Sequence, residues 1–178
     1  MRKTILIVIV LSLIYSCDPK NSIKDNIAQM IGKEIVIDSC QMRRIDVATN
    51  YRKQTEYLLI CYMDSAECKT CAINKLHEWD SYMSSFKDDT KMELLFVINS
   101  DYQNADFLSM YLASQKVKHS IYIDTLGLFE KNNSFIPRLP LCHVFLCRRK
   151  TGEILLVGNP VTNQNIDTLL RKVINNQE

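Results

Sequence analysis

Short apolar runs along the chain predict the strands of a central sheet. A run that is apolar on both sides is typical of a strand covered on both faces, and residues 57–63 and 93–98 have this character. Residues 120–124 form a third short strand of similar type. Near the end, residues 141–147 and 153–157 flank a turn at Gly152, which predicts a β-hairpin.

Apolar residues spaced by three and four predict the helices that cover this sheet. This spacing runs from Ala72 to Phe86 and again from Ile166 to Ile174. Between them, one stripe of four residues predicts a helix that the segment Asn99-Ser100-Asp101 can cap: Phe107, Leu108, Tyr111 and Leu112.

The first part of the chain gives weaker patterns. Residues 23–31 predict a brief helix, residues 33–37 a short strand, and residues 40–54 a solvated connection. From residue 55 the predicted order is β-α-β-α-β-(α)-β-β-α, in which strands that alternate with helices must be parallel and the hairpin is antiparallel. The predicted fold class is therefore α/β, a sandwich of helices around one mixed sheet.

The N-terminus has the features of an export signal. Arg2 and Lys3 precede an apolar run at residues 5–15, which is too short to span a bilayer but long enough for the core of a signal peptide. The sequence Leu-Ile-Tyr-Ser-Cys at 13–17 resembles a bacterial lipobox and implies lipidation of Cys17; a plain secretory signal or a short anchor is the alternative. We expect residues 1–16 to be the signal peptide, 17–32 a tether with a short helix, and 33–178 the folded domain, with its core at 55–175.

Charge and composition limit the classes of partner. The chain of 178 residues has 22 basic and 20 acidic residues, and removal of residues 1–16 takes away Arg2 and Lys3, which leaves 20 against 20. No basic stripe suggests nucleic-acid binding, and no pattern predicts a cofactor or a resident metal.

The residues with the clearest chemistry are Cys68 and Cys71, which form a Cys-x-x-Cys pair between a predicted strand and a predicted helix. The start of a helix offers unpaired backbone N–H groups and a positive dipole end, both of which favour a thiolate. We expect Cys68 to attack a partner's disulfide and Cys71 to resolve the mixed disulfide. A structural disulfide or an idle pair is the alternative.

The order of these features resembles the thioredoxin fold over residues 55–175. The chain has the same elements in the same order as that fold: a strand, a Cys-x-x-Cys pair at a helix start, a proline before a hairpin, and a last helix. The segment 121–129 is similar to the extra element of membrane-anchored TlpA/ResA-like thiol–disulfide oxidoreductases. The resemblance implies a three-layer thioredoxin-like sandwich, in which Pro140 is a cis-proline that faces the cysteine pair and Leu139 presents backbone groups to a bound peptide. A trans proline at the start of a strand is the alternative.

The surroundings of the pair depart from this family. Glu67 stands where the family has an aromatic residue, and Lys69-Thr70 replaces a pair that often contains proline. Tyr62 occupies a position where a buried acid is common. Asp64 and Glu67 are candidate replacements for that acid, and we expect both to face solvent.

The other cysteines leave alternatives open. Cys142 and Cys147 lie in one predicted strand with opposite directions, so they form neither a disulfide nor half of a metal site. A copper-transfer function on this fold needs a wider cysteine spacing, and His143 is the only histidine near the proline; no peroxidase motif is present. Cys61, Cys142 and Cys147 are expected as small buried side chains, although a Cys61–Cys142 bridge is conceivable, and Cys40 could be free.

Together these features predict thiol–disulfide exchange with exported proteins through Cys68 and Cys71. The expected location is the cell envelope, with a lipid anchor to a bacterial membrane. The expected partners are exported proteins that bear thiols or disulfides and an upstream electron donor in the membrane. The alternatives are a non-catalytic binding module that keeps the fold for packing and a copper-transfer protein.

Overall fold

The computed structural model describes residues 19–45, 55–65, 76–86, 91–115 and 118–175. Within them the helices are α1 (Pro19–Met30), α2 (Leu76–Ser84), α3 (Tyr102–Ser114), α4 (Leu128–Asn132) and α5 (Gln164–Asn175). The strands are β1 (Arg43–Ile45), β2 (Tyr57–Met63), β3 (Met92–Asn99), β4 (Ser120–Asp124), β5 (Val144–Arg148) and β6 (Ile154–Val157), and a 3₁₀ turn spans Pro140–Cys142.

The six strands form one mixed sheet in the order β1-β4-β3-β2-β5-β6. Strands β2, β3 and β4 are parallel, whereas β1, β5 and β6 each pair antiparallel with a neighbour. This is the mixed sheet that the order of apolar runs predicted, with the parallel strands in the centre and the hairpin on one side.

Alternate residues of the central strands face two separate cores. Along β2, Leu59 and Cys61 belong to the core that also contains residues of α2, α3 and α5. Ile60 and Tyr62 belong to the other core, which contains Met30 of α1 and residues of α4. Because side chains alternate along a strand, a strand that is buried at nearly every position requires helices on both faces.

The N-terminal part differs from the prediction in three places. Helix α1 begins at Pro19, inside the segment predicted as a tether, and Met30 at its end is fully buried. The strand predicted at residues 33–37 is reduced to one bridge between Glu34 and Glu153. The segment predicted as a connection contains β1. The sequence did not predict this strand, because two of its three residues are exposed arginines.

Two further differences concern surfaces and boundaries. Phe107, expected on the buried face of α3, is 73% exposed, and Ala105, Leu108 and Leu112 carry the buried face instead. Strand β5 begins at Val144 rather than at Leu141, because residues 140–142 form the 3₁₀ turn. The predicted capping segment 99–101 is confirmed and Asp101 is its cap, since its carboxylate accepts the Asn104 backbone N–H at 2.8 Å.

No helix in the described part of the chain is long and apolar enough to cross a membrane.

Candidate functional site

The residues with the clearest predicted chemistry, Cys68 and Cys71, lie outside the described residues, as do Cys17 and Glu67. The structure instead describes the two ends of the segment that contains the pair. Strand β2 ends at Met63, the described chain continues to Ser65, and α2 begins at Leu76. The surroundings of the carboxyl end of β2 therefore define the candidate site.

Polar side chains collect where the parallel strands end. Asp64 follows β2, Asn99 ends β3 and Ser100 follows it, and Asp124 ends β4. Asn99 and Asp124 are register partners, and the Ser100 backbone N–H donates to the Asp124 backbone oxygen at 3.1 Å. Ligand and active sites in α/β sheets commonly lie at this edge.

Asp124 has a structural role at this edge. Its side chain is fully buried, and its two carboxylate oxygens accept the backbone N–H groups of Leu126 at 3.2 Å and Phe129 at 2.8 Å. These bonds offset the free-energy cost of burying the carboxylate and fix the conformation of the turn into α4. Asp124 therefore positions the wall of the site.

Asp64 is buried, with 8% of its surface exposed, and the prediction that it faces solvent is wrong. It directly follows a strand whose last five residues are all buried, and the fold closes over it. Arg138, Glu130 and Tyr62 lie near enough to influence one another electrostatically: the pKa of Arg138 is raised above its usual value, first by Glu130 and then by Asp64 and Tyr62. A buried acid thus stands four positions before Cys68.

Tyr62 is buried at the position where the resembled family commonly has a buried acid. Its ring lies 4.7 Å from that of Phe129 and 5.2 Å from that of His143, measured between centroids. Burial disfavours the phenolate and raises the pKa of Tyr62 to about 12, with the nearby Asn99 side chain opposing the rise. Tyr62 is therefore protonated at neutral pH and cannot accept a proton from a thiol.

The prediction of a cis-proline at Pro140 is wrong, since the described residues contain no cis peptide bond. Pro140 instead begins the 3₁₀ turn, where its fixed φ angle and missing N–H are tolerated. The Leu139 backbone N–H donates to the Pro137 oxygen at 2.7 Å, and the Leu139 oxygen accepts the Cys142 N–H at 2.7 Å. Both backbone groups of Leu139 thus have partners within the chain, and its role toward a bound peptide stays a prediction.

His143 takes the place directly before β5 and is 2% exposed. Its backbone oxygen accepts the Tyr62 N–H at 2.8 Å, and its ring Nε2 lies 3.0 Å from the Pro137 oxygen. The sequence pattern did not single out its burial, because a histidine within a predicted strand is as compatible with an exposed position as with a buried one. The apolar residues Val144 to Cys147 that follow it were the available signal.

A cleft of about 490 Å³ lies beside this edge. It is lined by the N-cap of α4, by residues of α4 and by residues of the loop that follows it: Gly127, Glu130, Lys131, Ser134, Ile136 and Arg138. Arg138 Nε donates to Glu130 Oε1 at 2.8 Å across it. The cleft is polar and open to solvent.

Cys40, Cys142 and Cys147 are free thiols. Cys61 belongs to one core and Cys142 to the other, so the conceivable bridge between them is absent because the sheet separates them. Cys142 lies in the 3₁₀ turn and shares its core with Cys147, which corrects the prediction that both lie in one strand with opposite directions. Burial of Cys61, Cys142 and Cys147 is confirmed, and it raises the pKa of the Cys147 thiol to about 12.

In the described part of the chain, no three histidine, cysteine, aspartate or glutamate side chains lie close enough to hold a metal ion.

Comparisons with solved structures identify the fold. An uncharacterized thioredoxin-like protein from Porphyromonas gingivalis matches with a TM-score of 0.51 and 19% identity, over 77% of this chain and 90% of that one. A domain of a possible thiol-disulfide isomerase from Cytophaga hutchinsonii matches with a TM-score of 0.51 and 13% identity, over 81% and 93% of the two chains. A hypothetical protein from Sinorhizobium meliloti gives 0.53 and 11%, over 83% and 86%. No protein-family model and no curated protein matches the sequence.

Proposed function

Starting from a thioredoxin-like fold, we propose that this chain is an exported thiol–disulfide oxidoreductase of the TlpA/ResA type, with Cys68 and Cys71 as its redox pair. One observation carries the proposal: the Cys-x-x-Cys pair stands in the segment between the end of β2 and α2. That segment starts at the edge of the sheet where β2, β3 and β4 end, next to Asp64, Asn99 and Asp124 respectively. The chain therefore combines a reactive motif with the edge of an α/β sheet at which chemistry is usual.

In the proposed reaction, the Cys68 thiolate attacks one sulfur of a partner's disulfide. The attack breaks the partner's S–S bond, forms a Cys68–partner disulfide and releases a partner thiolate, which takes up a proton. The Cys71 thiolate then attacks Cys68 and releases the second partner sulfur. Two electrons pass to the partner, and a Cys68–Cys71 disulfide remains until an electron donor reduces it.

Location and partners are part of the same proposal. The signal-like residues 1–16 and Cys17 support export and a lipid anchor in the cell envelope of a bacterium. The substrates are exported proteins that carry thiols or disulfides, and the donor is a membrane protein upstream.

Reduction of insulin disulfides with dithiothreitol tests the catalytic claim. The purified protein should accelerate insulin precipitation, Cys68→Ala should abolish the acceleration, and Cys40→Ala should leave it unchanged, because Cys40 is an exposed thiol that is not part of the Cys-x-x-Cys motif. A protein that does not accelerate the reaction, or a Cys68→Ala variant with full activity, would refute the proposal.

A non-catalytic binding module is the second candidate, and two observations favour it. Tyr62 stays protonated where a buried acid was expected, and the Leu139 backbone groups are occupied within the chain. A redox titration separates the two candidates: a Cys68–Cys71 pair that does not cycle between dithiol and disulfide in glutathione buffers supports the module.

A further inference from the structure

His119 and Asp80 form a contact between two elements that the proposed function does not use. His119 lies directly before β4 and Asp80 lies on α2, and His119 Nε2 is 3.1 Å from Asp80 Oδ1. Each of the two side chains is only 15% exposed. The contact therefore joins α2 to the start of β4 through two half-hidden groups that can both carry charge.

The geometry of this contact gives a charged imidazole little compensation for its burial. Neither His119 Nε2 nor Asp80 Oδ1 makes a hydrogen bond of normal geometry within the described part of the chain. The imidazole also lies beside the ring of Phe96 on β3, with 6.5 Å between the centroids. Because a buried charge requires well-directed hydrogen bonds to replace its hydration, this place suits a neutral imidazole better than an imidazolium.

Burial has the largest influence on the protonation of His119. It lowers the pKa of His119 below the ordinary value of about 6.5, against Asp80 on α2 and Glu93 on β3, which favour the charged form. The preceding residue, Lys118, also disfavours the charged form, and Glu93 is itself paired with Arg149. In the folded protein at neutral pH, the imidazole of His119 is therefore neutral.

His77, three residues before Asp80 on α2, approaches the other oxygen of the same carboxylate. Its Nδ1 lies 3.9 Å from Asp80 Oδ2. Its side chain is 69% exposed, so water solvates this imidazole in either charge state. Of the two histidines beside Asp80, only His119 must lose hydration when α2 packs on the sheet, and His77 provides a matched control.

We propose that the His119–Asp80 contact is an acid-sensitive latch, which stabilises the packing of α2 on the sheet at neutral pH and weakens it in mild acid. When α2 moves away from β4, the imidazole becomes hydrated and takes up a proton from solvent more readily than in the packed form. The latch therefore has its full stability above about pH 6.5 and loses stability as the pH falls below that value. This inference does not depend on the proposed redox activity.

Hydrogen exchange of the backbone amides tests the inference, since the protection of an amide measures how often its element opens. The protection of α2, corrected for the intrinsic exchange rate, should fall about threefold or more between about pH 7.5 and about pH 5, because each pKa unit between the open and the packed form changes the opening equilibrium about tenfold. The amides of α2 should also be less protected than those of β3. Equal protection of α2 and β3 would mean that α2 leaves the sheet only when the whole protein unfolds, and it would overturn the inference.

Two substitutions assign the effect to one histidine. In His119→Gln, whose side chain cannot titrate, the fall in the protection of α2 should disappear. In His77→Gln, which removes the exposed histidine beside the same carboxylate, the fall should persist. A folded His119→Gln protein that keeps the fall of the parent protein, or a parent protein without any fall, overturns the inference.

A titration of the unmutated protein covers the case in which His119→Gln does not fold. NMR of ¹⁵N-histidine-labelled protein follows the imidazole of His119 directly, and its midpoint should lie below the value of about 6.5 that is usual for an unfolded chain. A midpoint at or above that value overturns the inference, because acid would then strengthen the contact with Asp80.

Discussion

Asn133 holds the backbone of Val36 from both sides. The Val36 N–H donates to the Asn133 side-chain oxygen at 2.8 Å, and the Asn133 side-chain N–H donates to the Val36 oxygen at 2.8 Å. The same amide nitrogen also donates to the Phe129 oxygen at 2.7 Å. One fully buried side chain therefore replaces a neighbouring strand for the N-terminal segment and joins that segment to α4.

Asn133→Ala should destabilise the protein by about 2–4 kcal/mol. The substitution removes the side-chain partner of both Val36 backbone groups, at about 1–3 kcal/mol for each group left unsatisfied. The Phe129 oxygen retains its hydrogen bond from the Asn133 backbone N–H. Urea denaturation followed by tryptophan fluorescence measures the loss. Asn132→Ala is the control, because Asn132 is the exposed neighbour on α4, and a loss of similar size in this control would contradict the explanation.

Gly152→Ala should cost more stability than Gly32→Ala, although both glycines have a positive φ angle. Gly152 has φ +76° and a Cβ atom there would lie 2.6 Å from the Ile35 backbone oxygen, whereas Gly32 has φ +80° and open space around it. We expect a loss of about 1–2 kcal/mol for Gly32→Ala from the left-handed backbone alone, and roughly 2–4 kcal/mol for Gly152→Ala, in which the collision is added. Equal midpoints of thermal unfolding for the two variants would refute the close contact.

The stability of the protein should fall as the pH rises from about 10 to about 12. Burial raises the pKa of Tyr62 from 10.0 to about 12, so the unfolded chain loses this proton at a lower pH than the folded chain does. The stabilisation is fully present below pH 10 and is lost as the pH rises toward 12, at up to about 1.4 kcal/mol per pH unit.

Tyr62→Phe should remove part of this slope, and urea denaturation at several alkaline pH values measures it. Tyr82, whose pKa is raised by burial and by Asp167, contributes a slope that the variant retains. Tyr102→Phe is the matched control, because Tyr102 is 72% exposed. Identical slopes in Tyr62→Phe and the parent protein would show that Tyr62 is ionised as readily in the folded chain as in the unfolded one.

The described cysteines should separate into one reactive and three protected thiols. In a variant with serine at positions 17, 68 and 71, iodoacetamide should label exposed Cys40 in the native protein. Cys147 should resist labelling, because burial excludes the reagent and raises the pKa of its thiol to about 12. Peptide mass spectrometry before and after addition of guanidinium measures this, and native labelling of Cys147 at the rate of Cys40 would contradict the burial.

The centre of the fold was predictable because its signal is continuous. Strands β2 and β3 are buried at nearly every position and β4 at three of its five, and apolar runs in the sequence predict all three strands. Strand β1 was missed because an edge strand needs no apolar run: Arg43 and Arg44 are exposed, and only Ile45 packs inward. Residues 33–37 have the composition of a strand, but the side chain of Asn133 takes the hydrogen bonds that a strand would have supplied.

The sequence predicted only those residues of the candidate site that belong to a recognisable motif. Cys68 and Cys71 were found from their spacing and position. The burial of Asp64 and of His143 depends on which loops close over the sheet edge, and a local pattern contains no such information. Pro140 was misassigned because a proline before an apolar run fits both the start of a strand and the first position of a 3₁₀ turn.

Residues 32–35, which follow α1, also cover the open edge of β6. Gly32 donates to the Ile154 oxygen, Ile154 donates to the Lys33 oxygen, and Ile35 donates to the Gly152 oxygen, so backbone groups on the outer side of β6 are occupied. At the other end of the sheet, β1 is short and carries two exposed arginines. Exposed strand edges are templates for self-association. The piece of chain that leads from the expected anchor to the domain therefore also protects the protein against aggregation through β6.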